Sequence, residues 1–274
     1  IQLIFCFDGK VPELKEQERA RRAGLKKEAA KKYQDAVASG DTVAMKKFAA
    51  QTTRLTGDMI LESQELLDAL GIPWIEAASE AEAQASYLVS QGDAYAVGTN
   101  DADTLLFQAP RIIRNLNLAG KRKKSKTEHY GTIEPELVTL SGTLNELGID
   151  QDQLIVLCML VGTDYDIGGI KGIGPKNALK LVKEFKGDFE GLFSKVSWNE
   201  FFPYSWKVVF DLFKHMDVKK KYELLFPEMD EGAVISLLVT KHDFSEDRVK
   251  ASLAKLSKVQ KQKAQKGLGD FLST

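Results

Sequence analysis

The chain has 274 residues, of which 43% are apolar and 28% are charged, and its formal net charge is −1. This composition is ordinary for a globular protein of one large or two small domains, and the net charge alone indicates no polyanionic partner. Cys6 and Cys158 stand alone in apolar runs, which excludes a disulfide framework and favours a reducing interior. No apolar run approaches the length of about 18 residues that spans a membrane, so we expect no membrane partner.

The chain opens on an apolar run, QLIFCF (residues 2–7), which is stopped by Asp8 and Gly9. A continuous apolar run of this kind predicts a parallel strand that is buried on both faces. Because residue 1 is Ile and the sequence opens inside this predicted strand, we expect an N-terminal segment of the protein to be absent from the chain.

The next segment, residues 10–55, is basic. Between Lys10 and Arg54 it carries twelve Lys or Arg against six Asp or Glu, with few large apolar residues. Its propensity is helical, with a break near SGD (39–41). Such a segment cannot bury much surface, so we expect helices that project from the body of the protein.

From residue 59 to 118, predicted strands alternate with predicted helices. In chain order these are the helix MILESQELLDALG (59–71), the strand IPWIEA, the helix SEAEAQASYLVSQG, and the strands AYAVGT and RIIRNLNL. This order predicts an α/β fold, with a parallel sheet and flanking helices. After about residue 133 the sequence is typical of helices almost throughout.

Acidic residues follow three of the predicted strands. Asp8 ends the first strand, Glu80 and Glu82 follow IPWIEA, and Asp101 and Asp103 follow AYAVGT. Because the carboxyl ends of parallel strands meet at one edge of a sheet, we expect these carboxylates to converge there. Oxygen ligands without His or Cys suit hard ions such as Mg²⁺ or Mn²⁺.

Each of these acids also fits a structural role. Asp8 with Gly9 could form a simple turn, and Ser79 with Glu82 fits a capping box at the start of a helix. Asp101 and Asp103 could be solvated loop residues; in extended backbone their side chains would share a side. The joint placement of the acids at strand ends favours the metal-site interpretation.

A glycine-rich hairpin, GIGPKNA, precedes an amphipathic helix near residue 175. Gly172 and Gly174 permit a tight backbone and the close approach of another molecule, and amides at a helix start bind anions. Lys171 and Lys176 add positive charge. This pattern predicts a helix-hairpin-helix that binds the phosphates of a duplex without reading sequence. The alternative is a plain helical connection whose glycines serve packing.

Two further features stay open from the residues alone. Asp164, just before the hairpin, either caps the turn or supplies a sixth carboxylate to the sheet edge. The basic run KRKKSK (121–126) either contacts phosphates or forms a solvated loop.

Five motifs, in this order and spacing, carry a family resemblance: FDGKVPELK, SEAEAQASYL, NDADTLLF, VGTDYDIGGIKGIGPKNAL and KHDFSEDRV. Together they resemble archaeal-type flap endonucleases of the structure-specific 5′ nuclease family, over essentially the whole chain. The resemblance implies a replication and repair enzyme that hydrolyses DNA phosphodiesters at junctions between a 5′ single strand and a duplex. The alternatives are a clamp-tethered DNA-binding protein without catalysis for the chain as given, a 5′ exonuclease relative, and a single-strand ribonuclease on a related acidic domain. Because an N-terminal segment is expected to be absent, we expect the activity of the chain as given to be impaired.

The resemblance also implies a two-metal site and a helical arch. Its metal ligands would be Asp8, Glu80 and Glu82 for one Mg²⁺ or Mn²⁺, and Asp101, Asp103 and Asp164 for the second. The basic segment matches the arch through which a 5′ flap threads. Lys15 and Arg22 match the arch residues that contact the scissile phosphate, and a K⁺ ion is implied at the hairpin.

The tail QKGLGDFL resembles a sliding-clamp-binding motif made of Gln265, Leu268, Phe271 and Leu272. In a 3₁₀ turn Leu268 and Phe271 would form one apolar plug, although Leu272 stands where an aromatic residue is usual. The alternative is a C-terminus that docks on its own body. The implied partners are therefore branched DNA with a 5′ flap and a sliding clamp.

The resemblance implies three regions. A nuclease α/β core with the arch would occupy residues 1–150, a helix-hairpin-helix DNA-binding region 151–256, and a flexible clamp-binding tail 257–274. We expect a monomer located inside the cell with chromosomal DNA, which in an archaeon means the cytoplasm.

Overall fold

The computed structural model describes residues 1–53, 55–116, 120–123 and 130–264. The residues predicted to bind a sliding clamp therefore lie outside the described residues: Gln265, Leu268, Phe271 and Leu272. Half of the basic run KRKKSK (121–126) lies outside them as well, from residue 124 onward.

The predicted α/β class is confirmed, with helices that greatly outweigh the strands. The strands are β1 (Phe5–Phe7), β2 (Trp74–Glu76), β3 (Val97–Gly98), β4 (Arg111–Arg114), β5 (Gly120–Lys123), β6 (Tyr130–Ile133) and β7 (Glu136–Thr139). The helices of the first half are α1 (Glu16–Ser39), α2 (Thr42–Thr52), α3 (Gly57–Ala69) and α4 (Ala81–Gln91). Those of the second half are α5 (Leu140–Leu147), α6 (Gln151–Val161), α7 (Pro175–Phe185), α8 (Phe189–Lys195), α9 (Trp198–Phe201), α10 (Trp206–Lys214), α11 (Glu231–Ile235) and α12 (Glu246–Ala264).

The chain forms two compact units. The smaller unit contains Ile1–Phe5, Arg54–Trp74 and Glu223–Thr274, and the larger contains Cys6–Thr53 and Ile75–Tyr222. The core of the smaller unit is formed where Val234, Val249 and Leu253 pack together with apolar residues of α3. Among the described residues, no helix combines the length and the apolar character that crossing a membrane requires.

The strands pair in small sheets. β3 and β4 are parallel, with Val97 opposite Ile112, and β7 adds an antiparallel edge to β4. β1 pairs with β2: the Ala77 amide donates to the Phe7 carbonyl at 2.8 Å. β1, β2 and β3 therefore end next to the acids that the sequence singled out.

Two expectations about the strands are wrong. The first strand is short, and Leu3 and Phe5 are each 42% exposed, so it is not buried on both faces. The predicted helical stretch after residue 133 begins instead with β7, which has only two apolar residues. β7 owes its conformation to pairing with β4, a contact that local propensity does not encode.

Helix α6 is the centre of the larger unit. Its sequence is apolar on nearly every side, and Ile155, Met159 and Leu160 are completely buried, as expected for a helix enclosed by others. A capping box between Asp150 and Gln153 starts the helix. Since α6 is fixed in this way, its C-terminal end presents the following loop, with Asp164, at a defined place.

The basic segment forms a pair of helices with the predicted break. Gly40, with φ 70°, ends α1, and the Asp41 carboxylate starts α2 by accepting from the amides of Val43 and Ala44. The main packing partner of α1 is α2. Most side chains of α1 are exposed, in agreement with a segment that has few large apolar residues.

Candidate active site

Asp8 joins the end of β1 to the start of α4. Its carboxylate accepts a 2.9 Å hydrogen bond from the Ala81 amide, which is one of the unpaired donors at the start of that helix. The neighbouring Gly9 lies against the chain after β2, and a Cβ there would be 2.0 Å from the Ala77 carbonyl oxygen. Only glycine permits this approach, which brings Asp8 beside Glu80.

Glu80 is the residue before α4, yet its side chain does not cap the helix. It is 6% exposed and accepts a 2.5 Å hydrogen bond from the Lys15 ammonium. The capping-box interpretation is also wrong, because the Ser79 hydroxyl donates to the Lys10 carbonyl instead. The Glu80 side chain is thus not a helix cap, whereas the Glu82 carboxylate accepts a hydrogen bond from its own backbone amide.

Glu82 faces the other acids. Burial raises the pKa of Glu82 above its ordinary value. Three neighbouring carboxylates raise this pKa further: those of Asp8, Glu80 and Asp101. The acids at the ends of β1, β2 and β3 are therefore close enough to repel one another, as the strand order predicted.

Asp101 and Asp103 lie in a turn and not in extended backbone. The Asp101 carboxylate accepts from the Asp103 amide at 3.0 Å and so starts the 3₁₀ turn Ala102–Leu105. Burial raises the pKa of Asp103 to about 6, and the charges of Asp101 and Asp164 act in the same direction. Lys15 opposes this shift. The carboxyl of Asp103 is thus the acid of this pair that most needs a nearby cation.

Asp164 follows α6 and connects two cations. One of its oxygens is 3.2 Å from the Lys15 ammonium, and the other accepts from Arg22 at 2.8 Å. It does not cap the turn, because Asp166 takes that role by accepting from the Thr163 amide at 3.2 Å. The alternative of a sixth carboxylate at the site is therefore the one that the geometry favours.

Lys15 and Arg22, predicted from the arch, both reach these acids. Lys15 lies between Glu80 and Asp164, and its ammonium is 5.9 Å from the centre of the Tyr165 ring. Burial works against the charge of Lys15, but the two carboxylates outweigh it and raise its pKa above the ordinary value. The N-terminal part of the basic segment and the acids thus form one charged network.

The arrangement does not yet form a metal centre. Within the described residues, no group of three or more His, Cys, Asp or Glu side chains is close enough to hold a metal ion. Lys15 and Arg22 supply the positive charge at this place, and they form ion pairs with Glu80 and Asp164. The donor set still fits hard divalent ions, because it consists of carboxylates. Burial, and after it their mutual repulsion, raises the pKa of Glu82 and Asp103.

The glycine hairpin has the predicted features. Gly172 has φ 90°, and Gly174 precedes Pro175 at the start of α7. No atom lies within 4 Å of a Cβ placed on either glycine, so the backbone is open to approach. Lys171 and Lys176 are exposed, and within the described part of the chain neither forms an ion pair.

The sequence interpretation missed two acids of this region. Glu18 is buried and binds Arg22, and its spacing of four residues on a helix was a signal that could have found it. Asp166 is completely buried, and burial raises its pKa to about 7. No sequence signal distinguishes Asp166 from an ordinary turn residue, because its burial is a tertiary effect.

The comparisons with known proteins agree with this geometry. Flap endonuclease 1 of Thermofilum pendens is 46% identical over 261 residues, which cover 95% of this chain and 75% of that protein. This chain belongs to the flap endonuclease 1 family. The solved structure of flap endonuclease-1 from Methanococcus jannaschii matches with a TM-score of 0.67 and 36% identity, covering 95% of this chain and 76% of that one.

Two more distant comparisons extend the flap endonuclease assignment. The XPG I-region family matches residues 71–164, the range that carries Glu80, Glu82, Asp101, Asp103 and Asp164. The catalytic core of Rad2 in complex with DNA substrate matches with a TM-score of 0.64 and 25% identity, covering 92% of this chain and 78% of that one. The chain is a metal-dependent DNA nuclease.

Proposed function

We propose that the chain cleaves DNA at the junction between a 5′ single-stranded flap and a duplex. The observation that carries this proposal is the network in which Lys15 and Arg22, at the base of the arch, bind Glu80 and Asp164. Cations suited to a phosphate and acids suited to metal ions come from segments far apart in sequence. Their meeting at one place is what a phosphodiesterase requires.

We assign the six acids to two divalent ions. Asp8, Glu80 and Glu82 would hold the first, and Asp101, Asp103 and Asp164 the second. The support is the all-oxygen donor set, together with the burial and the mutual repulsion that raise the pKa of Glu82 and of Asp103. Two such ions, Mg²⁺ or Mn²⁺, would orient water and stabilise the charge that develops on the attacking and leaving oxygens.

The arch cations have a separate task in this proposal. If divalent ions neutralised the acids, Lys15 and Arg22 would be available to a phosphate at the same place. The guanidinium of Arg22 offers paired donors that match phosphate oxygens, and the ammonium of Lys15 offers a point charge. Both would stabilise the added negative charge of the transition state.

The hairpin is proposed to hold the duplex next to the cleaved junction. Its support is the open backbone at Gly172 and Gly174 and the exposed Lys171 and Lys176, with a K⁺ ion on the hairpin carbonyls as a further part. We also propose that the tail from residue 257 binds a sliding clamp. The chain would act as a monomer on chromosomal DNA inside the cell, with its catalytic region in 1–150 and its duplex-binding region in 151–256.

The test is cleavage of an end-labelled double-flap DNA in Mg²⁺ and K⁺. We expect the chain to release the 5′ flap at the junction, and Asp101→Ala with Asp103→Ala to lower the rate at least a thousandfold, on the order of the effect of losing a main electrostatic stabiliser. Asp211→Ala, at an exposed acid of α10, is the matched control and should cleave normally. Flap binding without cleavage by the unsubstituted chain would instead support a DNA-binding protein without catalysis.

A further inference from the structure

Glu18 is an unusual residue for the arch. The other acids between Lys10 and Thr53 are exposed, whereas Glu18 is 3% exposed although it lies near the start of a helix that is mostly in contact with solvent. A buried carboxylate needs charged partners, because its desolvation is costly. Its partners are both arginines of the next helical turn, Arg21 and Arg22.

The two oxygens of Glu18 accept three charge-assisted hydrogen bonds. Arg21 donates its Nε at 2.6 Å and a terminal nitrogen at 2.7 Å, and Arg22 donates its Nε at 2.6 Å. The bonds from Arg21, and next those from Arg22, outweigh burial and lower the pKa of Glu18 to about 2. The carboxylate therefore stays charged, and the contacts persist across the pH range of any nuclease assay.

The contact determines how the Arg22 guanidinium is oriented. Glu18 engages the Nε edge, while a terminal nitrogen of the same guanidinium donates to Asp164 at 2.8 Å. Because a guanidinium is planar and rigid, fixing its Nε edge also fixes the direction of its terminal nitrogens. The Arg22 side chain is 54% exposed, so without Glu18 the bond to Asp164 would remain as a restraint and the side chain would sample more rotamers.

We propose that Glu18 is a positioning residue for the cleavage reaction, holding Arg22 so that its terminal nitrogens face the phosphate site. Within the described part of the chain, the side-chain hydrogen bonds of Glu18 go to Arg21 and Arg22 and not to the acids of the candidate site. This inference rests on the proposed role of Arg22 in the function above. Glu18 would then act on the reaction through Arg22, by holding the guanidinium of a residue on its own helix.

The first test is single-turnover cleavage of the double flap by Glu18→Gln, which keeps the shape of the side chain and removes its charge. We expect the rate at saturating enzyme to fall about tenfold, with little change in the dissociation constant of the flap, since orientation affects the transition state more than binding. The matched control is Glu16→Gln, an exposed acid of the same helical turn, which should cleave like the unsubstituted chain. A normal rate for Glu18→Gln, in a protein that Arg22→Ala does slow, would overturn the inference.

A double-mutant cycle separates positioning from a merely structural role. If Glu18 acts through Arg22, then Glu18→Gln causes no further loss in the Arg22→Ala background. An equal loss in both backgrounds would mean that Glu18 supports the fold, and the inference would be wrong. Normal cleavage by Arg22→Ala would remove the proposed role of Arg22 and the inference with it.

A spectroscopic readout does not depend on activity. In the unsubstituted chain, the Nε–Hε group of Arg22 should give a sharp, slowly exchanging NMR signal because it is hydrogen bonded to a buried carboxylate. Glu18→Gln should weaken this protection, and Glu16→Gln should preserve it. If this NMR pattern is found but the chain does not cleave the flap, the proposed function is contradicted while the Glu18–Arg22 contact is established. An unprotected Arg22 signal in the unsubstituted chain would overturn the positioning role directly.

Discussion

Replacing Lys15 by Met removes the ammonium that lies 2.5 Å from Glu80 and 3.2 Å from Asp164. The Lys15 side chain is 20% exposed and that of Glu80 only 7%, so the loss leaves a nearly buried carboxylate without its cation. The loss of the ammonium affects Asp164 less than Glu80, because the Asp164 side chain is 27% exposed and keeps its bond to Arg22. Removing one partner of a buried pair costs about 3–5 kcal/mol, and allowing for this partial exposure we expect a loss of about 2–3 kcal/mol in the free energy of unfolding.

The measurement is urea unfolding in EDTA, where no divalent ion compensates for the lost charge. The matched control is Lys195→Met, which removes a pair with Glu184 at 2.9 Å in which both side chains are 50% exposed. An exposed pair of this kind is worth less than about 1 kcal/mol. If Lys15→Met destabilises the protein no more than Lys195→Met does, the pairing of Lys15 with the acids does not contribute to stability.

The same variant tests whether Lys15 and a divalent ion compete for Glu80. Because the metal no longer displaces an ammonium, Lys15→Met should bind Mn²⁺ about tenfold more tightly, which corresponds to ~1.4 kcal/mol. Mg²⁺ should then raise the Tm of Lys15→Met more than that of the unsubstituted chain. Equal affinities and equal Tm shifts would refute the competition.

Three further predictions concern single features of the larger unit. Burial and neighbouring carboxylates raise the pKa of Asp103 from 3.8 to about 6, so the folded protein holds this proton more tightly than the unfolded chain does. In EDTA, the contribution of Asp103 to the free energy of unfolding should therefore fall as the pH rises from about 4 to 6. Asp103→Asn should lack this loss and be more stable than the unsubstituted chain above pH 6 by on the order of 1–2 kcal/mol. Calorimetry that finds parallel pH profiles for the two proteins would contradict this. Lys171→Ala with Lys176→Ala should weaken duplex binding in fluorescence anisotropy and reduce the slope of log K against log salt by about one per lysine, and an unchanged slope would contradict the hairpin contact. Gly9→Ala should lower the free energy of unfolding by about 3 kcal/mol or more, because a Cβ there would be 2.0 Å from a backbone oxygen. Gly24→Ala, with no atom within 4 Å of the added Cβ, should stabilise its helix by about 0.5–1 kcal/mol. Equal Tm values for the two variants would contradict this prediction.

The sequence predicted the parts of the fold that local pattern determines. The break at Gly40, the helix that ends before Gly71 and the start of α7 at Pro175 follow from caps and backbone freedom, and the structure has all of them. The exposure of Phe5 and the existence of β7 were not predictable, because each depends on which strands are neighbours in space. Pairing partners are distant in the sequence, and no local period reports them.

The site shows the same division between local and distant information. The rule that parallel strands end at one edge of a sheet was enough to predict that Asp8 and Glu80 are neighbours. In the structure, the Asp8 carboxylate accepts from the amide of Ala81, the residue after Glu80. The ion pairs of Lys15 with Glu80 and of Arg22 with Asp164 join residues 65 and 142 positions apart. The burial of Glu18 likewise depends on the surrounding chain, so its role emerges only from the three-dimensional arrangement.

The central claim is that the carboxylates at the strand ends hold two divalent ions. Anomalous diffraction from crystals grown with Mn²⁺ tests it most directly, because it locates the ions without relying on activity. We predict two peaks, one beside Asp8, Glu80 and Glu82 and the other beside Asp101, Asp103 and Asp164, with the Lys15 ammonium moved away from Glu80. Peaks absent from these acids at saturating Mn²⁺, with Lys15 still bound to Glu80, would contradict the account.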